Sequence, residues 1–300
     1  MPLPDKPVKQ SYTLLYGLNI REKEIRVTDN ITLRRIDEKM NLFDIIGLVA
    51  SGFRESLLLE LLSGGCNTEL IYTSKSEADH LNVHLGIAWT SMVLIHLRGF
   101  HKSMGVTVST QSWADISGHD ARKGKPIEIY SDFGAQLLDF HISFLKSSKG
   151  NRILFTKNDA KWIEDRMENS LKLWEEASFR LAFIACQDWR YAKDRRIAIT
   201  RIWSGIEAIM GVNMELKFRI SSLVASLLEP RGKRRLKKYR KVQKLYDIRS
   251  RVVHGDNKLR ESKISEVLEA SYDLLRSLVL LEIERGHVFT KSDFENALFS

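Results

Sequence analysis

Two hydrophobic periods share this chain, and the change from one to the other limits its fold more than any other feature. In the first part apolar and polar residues alternate in short runs at 12–16, 25–27 and 31–36, separated by Gly17 and by Asp29-Asn30. A period of two is that of a half-buried strand, and Gly and Asx residues between runs mark turns. From residue 158 apolar residues recur every three to four positions instead. Asn158 or Asp159 is placed to cap a helix carrying Trp162, Ile163, Met167, Leu171 and Trp174, and 177–185 continue the pattern. Arg195–Met210, 215–228 (stopped by Pro230), 233–254 and 264–285 follow. In the last of these Leu268, Tyr272, Leu275, Leu278, Val279 and Ile283 share an inward face. The expected class is α+β: a mixed α/β domain of short strands over 1–150, then an all-α bundle over 151–300. The small polar run Ser147-Ser148-Lys149-Gly150-Asn151 marks the boundary.

Within the first half, 37–43 suggest a helical turn, and 56–62 with 69–73 flank Gly64-Gly65 as a hairpin. Leu81, Val83, Leu85 and Ile87 alternate with His80, Asn82, His84 and Gly86, so 80–96 reads as a strand. Along a strand His80 and His84 stand about 13 Å apart, too far to share a metal ion. Further short strands are expected at 106–109 and 127–130, a loop at 117–125, and an apolar helical run at 136–145. Gly118 to Lys125 imitates a phosphate-binding loop but has one intervening residue too many, and Pro126 stands where a magnesium-binding hydroxyl is required. Nothing in this half names a chemistry.

At 300 residues the chain is long enough for two cores, and 43% hydrophobic with 28% charged residues is ordinary for a globular protein. No apolar run approaches the ~20 residues of a membrane span, and Met1 to Lys6 lacks the apolar centre of a signal peptide. A cytoplasmic protein without membrane contact is expected. Cys66 and Cys186 are too few for a disulfide framework.

Charge is divided unevenly. Residues 1–150 carry 17 basic and 17 acidic side chains, leaving 30 of 47 and 21 of 38 for residues 151–300, so the whole net charge of +9 sits in the second half. Eight of the eleven residues from 231 to 241 are basic: Arg231, Lys233, Arg234, Arg235, Lys237, Lys238, Arg240 and Lys241. Such a run supplies sequence-independent phosphate affinity that weakens with salt, and its plain alternative is a solvated helix face. It leads into Leu245-Tyr246-Asp247-Ile248-Arg249-Ser250-Arg251-Val252-Val253-His254-Gly255, where Leu245, Ile248, Val252 and Val253 have helical spacing and Gly255 stops the helix. Arg249 and His254 lie about 140° apart on the helix wheel. They do not share a face, but two such helices packed antiparallel would bring two pairs into one cleft.

Arginine, a polar residue, three more residues and histidine resemble the signature of HEPN domains, and Tyr246 to Gly255 looks like its form in the Apea-like HEPN family. Residues 201–209, which end in a glutamate-bearing apolar run, and 216–224 resemble two further helices of that family, so the likeness covers roughly 155–290. Ser250 stands where HEPN ribonucleases often carry Asn, Asp or His. The resemblance implies a metal-independent, cofactor-free endoribonuclease acting at a homodimer interface in prokaryotic defence, toxin or stress response, the N-terminal domain sensing a trigger, such as a phage-derived one, or restraining the nuclease. Cleavage by a ribose 2′-hydroxyl needs a base, an acid and a cation: His254 would move the proton, Arg249 would stabilise the phosphorane charge, and Ser250 would position a phosphate or the arginine, or simply let helices pack closely. Glu207, on an apolar helix, asks for a cationic partner, Arg219 or Arg249. Tyr246 would stack on a base or fill the core. A non-catalytic nucleic-acid- or protein-binding bundle is the main rival, and a bundle that binds nucleotides or is modified on Tyr246 is a third.

Overall fold

The computed structural model describes residues 9–37, 65–74, 79–101, 103–116, 135–137, 154–212, 214–255 and 258–299, with the backbone alone for residues 9, 79–85 and 135–137. The class is α+β, an antiparallel sheet followed by helices. Among the described residues, those up to Met167 form one compact unit and those from Glu168 a second.

The first unit is built on strands β1 (Lys9–Tyr16), β2 (Asn19–Ile20), β3 (Glu24–Arg26), β4 (Ile31–Arg35) and β5 (Cys66–Ser74), helix α1 (Asp79–Leu97), β6 (Met104–Ser109), the short α2 (Trp113–Ile116), β7 (Ala135–Leu137) and β8 (Leu154–Phe155). Six of these strands pair antiparallel in the order β3-β4-β5-β1-β6-β7, while β2 and β8 form a separate parallel pair. Tyr12 faces Ile71 on one side and Ser109 on the other, which places β1 in the middle. The neighbouring β5 is buried along almost its whole length, including Thr68, Glu69, Leu70, Ile71 and Tyr72. A carboxylate there needs partners. Glu69 accepts from the Ser112 hydroxyl at 2.8 Å and the Trp113 N–H at 2.7 Å, with Arg34 Nη1 3.5 Å away. Burial pushes its carboxyl above the usual range against those contacts, so it serves to tie the start of α2 to the sheet.

The strand expected over 80–96 is instead α1. Residues 90–97 are buried without a break, so the helix shows no apolar stripe for a period to reveal, and the short alternation ahead of it misled. The separation of His80 from His84 along a strand therefore does not hold, and their side chains lie outside the described residues. The helical run expected from 136 also fails at its start, since Gln136 pairs with Val108 in β7. The turn at 38–43, the hairpin arm at 56–62, the loop at 117–125, the strand at 127–130 and the boundary at 147–151 all lie outside the described residues.

The helices are α3 (Lys157–Leu173), α4 (Ala177–Asp188), α5 (Arg195–Met210), α6 (Leu216–Leu228), α7 (Lys233–Val253), α8 (Glu261–Arg285) and α9 (Lys291–Phe299), with a 3-10 turn at Trp189–Tyr191. The division at Met167 falls within α3. Neither Asn158 nor Asp159 is the cap of α3. Thr156 precedes the helix, and its N–H and hydroxyl both donate to Asp159 Oδ2 at 3.0 and 2.7 Å, so the acid in the third helical position reaches back to tie down the helix start. In the second unit α4 crosses α5 so closely at Gly205 that a Cβ there would lie 3.1 Å from the Ala182 backbone and 3.0 Å from the Ala185 side chain. Trp203, fully buried, donates its indole N–H to Ser271 on α8 at 3.0 Å, and α7 packs against both α5 and α6. The inward face expected for α8 is observed, with all six residues buried.

Candidate active site

The apolar faces of α5 and α7 decide what meets between them. Trp203 and Glu207 are four residues apart on α5 and share a face, as Tyr246 and Arg249, three apart, do on α7. Where these helices pack, Arg249 Nη2 lies 2.9 Å from Glu207 Oε1 and donates to Oε2 at 3.2 Å. The hydrogen bond goes to Oε2 alone, and Oε1, though close, is buried without a hydrogen bond among the described residues. The Arg249 Nε is likewise buried without a hydrogen-bond partner among the described residues. The two side chains retain only 19% and 23% of their exposure. Burial raises the Glu207 carboxyl above its ordinary range, and Arg249 opposes that rise. The guanidinium also stands 5.6 Å over the Tyr246 ring, which meets Trp203 edge-on at 5.4 Å.

Arg219, the other cation weighed for Glu207, is half-exposed at the start of α6 and lies 3.6 Å from Glu215. It takes no part in the cluster. Tyr246 is half-buried in the ring cluster rather than presented to solvent, and burial raises its hydroxyl above the ordinary value.

His254 is exposed and ends α7, its N–H bonding the Ser250 carbonyl at 3.1 Å, before Gly255 turns the chain at φ +74°. What Ser250 contributes here is that carbonyl; its side chain is half-buried. Arg249 points to Glu207 across the helix pair, and His254 projects from the helix end. The structure brings Glu207, Arg249 and Tyr246 together, and among the described residues no contact joins the His254 side chain to them.

The basic run divides as well. Arg231 donates to the Leu298 carbonyl at 2.9 Å, and Arg235 donates to the carbonyls of Glu229 and Ala297, both at 3.0 Å. Cations there meet the carbonyl end of α9, where the helix dipole is negative. Lys238 lies 3.4 Å from the Glu229 carboxylate. Lys233, Arg234, Lys237, Arg240 and Lys241 are exposed. With Leu236 and Lys244, four of these five (Lys233, Lys237, Arg240 and Lys241) line an open groove of about 530 Å³ along α7. Sequence reading missed Lys244, although its spacing of three from Lys241 and four from Arg240 continues the same face.

Comparison of the chain with protein-family models, with curated proteins and with solved structures returns no match. Among the described residues no helix is long and apolar enough to cross a membrane.

Proposed function

We propose that residues 151–300 form a HEPN-type, metal-independent endoribonuclease that works as a homodimer, in prokaryotic defence or stress response. The observation that carries this reading is the placement of Arg249. It is fixed by Glu207 on a helix that ends in an exposed His254 and that bears a row of exposed cations about one and a half to four and a half turns earlier. In this scheme one His254 imidazole takes the proton of a ribose 2′-hydroxyl, and the freed oxygen attacks the adjacent phosphorus. The bond to the 5′-oxygen breaks, and that oxygen takes its proton from the His254 imidazolium of a second copy. A 2′,3′-cyclic phosphate and a 5′-hydroxyl result. Arg249, already oriented, faces the extra charge of the phosphorane. Ser250 sits at the helix end between the two, and the sheet-bearing unit senses a trigger or restrains the nuclease.

The deciding experiment is cleavage of total RNA and of tRNA in EDTA by the wild-type chain, His254→Ala and Arg249→Ala, with folding followed by circular dichroism. Cleavage lost in both folded variants supports the proposal. Salt-sensitive binding without cleavage in all three favours a second reading, a non-catalytic nucleic-acid-binding bundle. One observation speaks for that alternative: Glu207 already neutralises Arg249, and among the described residues no contact joins the His254 side chain to it.

A further inference from the structure

The outer face of α7 is a row. Lys233, Lys237, Arg240, Lys241 and Lys244 follow one another at spacings of one, three and four residues, so all five project to one side. At 1.5 Å per residue they span about 16 Å, close to five steps of the 3.4 Å per-strand rise of stacked nucleotides. Within the same groove stands Leu236, 48% exposed. One helical row over, beside Leu236 and Arg240, Tyr239 accepts a hydrogen bond from Gln243 at 2.6 Å and meets Phe218 of α6 edge-on at 6.4 Å. Phe218 is 59% exposed, and with Glu215, Leu216, Lys217 and Gln243 it lines a second open groove, Gln243 standing three residues from Arg240 and seven from Leu236 on α7. An aromatic ring left largely in water does nothing for the core: Ile220, Leu223 and Val224 bury the inward face of α6 without it.

Duplexes offer phosphates but hide their base faces, whereas a single strand offers both. We infer that the α7 row and the Phe218–Tyr239 edge form a binding site for single-stranded RNA, the cations following the backbone and Phe218 stacking on an unpaired base. This rests on the reading that the chain acts on RNA, and it places the anchoring site away from the Glu207–Arg249 pair. Arg231, Arg235 and Lys238 are excluded from the site, because they are engaged by the carbonyls of α9 and by Glu229.

The test uses the full chain and a fluorescein-labelled 2′-O-methyl RNA of about ten nucleotides, alone and in duplex form, read by anisotropy. Lacking a 2′-hydroxyl, this probe reports binding whether or not the protein is a nuclease. The single strand binds at least roughly tenfold tighter than the duplex, and Phe218→Ala weakens it by roughly 5- to 100-fold, leaving duplex binding alone. Phe218→Leu, which keeps an apolar side chain but no ring face, behaves as Phe218→Ala. The double variant Lys237→Gln/Lys241→Gln weakens both probes and lowers the slope of log K against log salt by about 1.4 for the single strand. All three variants change exposed side chains, and unchanged melting curves confirm their folds. Equal affinity for the two probes with Phe218→Ala silent overturns the inference. So does tighter binding to phosphatidylserine vesicles or to polyglutamate than to the single strand. Cleavage of unmodified RNA that depends on Arg249 and His254, together with binding indifferent to Phe218, removes this site and keeps the nuclease. Ring-dependent binding without cleavage does the reverse.

Discussion

Arg249 and Glu207 stand 42 residues apart and meet at 2.9 Å where α7 packs on α5, an ion pair mostly withdrawn from water and made through a single guanidinium nitrogen. Removing the carboxylate leaves a half-buried cation facing Trp203 and Tyr246. Fully buried pairs cost about 3–5 kcal/mol when one partner is deleted and exposed pairs about 0–1. With roughly a fifth of each side chain still exposed, Glu207→Ala is expected to cost about 1–2 kcal/mol. Urea unfolding of the variant beside Arg249→Ala and the double variant gives the coupling directly; if the two single losses simply add, the pair contributes nothing.

Gly205 marks a tight crossing in the helical unit. A methyl group there would meet the Ala182 backbone at 3.1 Å, the Ala185 Cβ at 3.0 Å and Leu275 Cδ1 at 3.2 Å. Leu275 can turn aside, but helix backbone cannot. Gly205→Ala gains about 1 kcal/mol of helix propensity and meets an overpacking cost of about 1–3 kcal/mol. A net loss of up to about 2 kcal/mol is expected. The same substitution at Gly211, which lies beyond the end of α5 at φ +59° with open space around it, strains the backbone without a clash. Comparing the urea midpoints of the two variants separates the effects.

Glu282 is wholly buried near the end of α8, where its Oε1 accepts the Phe289 N–H at 3.1 Å. Burial pushes its carboxyl up to about 7, against the pull of that bond and of Arg285. Between the ordinary value of 4.5 and about 7 the folded chain therefore holds a proton that the unfolded chain has released. Stability falls as pH rises through that window and is level above it. The fall amounts to about 3 kcal/mol at most, at 1.36 kcal/mol per pH unit. Glu282→Gln keeps an acceptor for the Phe289 N–H and cannot ionise, so it is expected to flatten that slope and to be the more stable protein at pH 8. Urea midpoints from pH 5 to 8 check it; a wild-type slope retained in Glu282→Gln would assign the proton elsewhere.

Helices α4 to α8 of the second unit were legible because each buries one face at helical spacing, and two of them meet a stop that the sequence announces: Pro230 follows α6, and Gly255 follows α7 at φ +74°. Helix α1 was not, since burial on all sides from Thr90 to Leu97 erases the period that would announce it. The strand order β3-β4-β5-β1-β6-β7 joins segments up to a hundred residues apart, and no local pattern contains it. The carboxylate of Glu207 announced that a cation must come to it. Which cation depends on how α5 meets α6 and α7, so Arg219 and Arg249 were equivalent until the helices were packed. Phe218 carried a signal that went unread: it falls two residues before Ile220, on the side of the helix away from the large apolar residues Ile220, Leu223 and Val224.

The eight cations from 231 to 241 look alike in composition and do different work. Arg235 holds two carbonyls, one before α7 and one near the end of α9, and its removal leaves both acceptors to water while freeing the end of α9. Charge-assisted bonds of this kind contribute about 1.5–3 kcal/mol when buried. At this half-exposed position Arg235→Ala is expected to lower stability by about 1–2 kcal/mol. Arg234, next to it and exposed, should lose less than about 0.5 kcal/mol on the same change. For RNA affinity the order reverses between Arg235 and the groove: Lys237→Ala weakens binding and leaves the melting curve alone, whereas Arg235→Ala shifts the melting curve and leaves affinity near wild type once folding is corrected for. Melting and anisotropy on the same three samples decide the point, and equal losses of affinity across the three would mean that charge density alone, without the geometry of α7, governs binding.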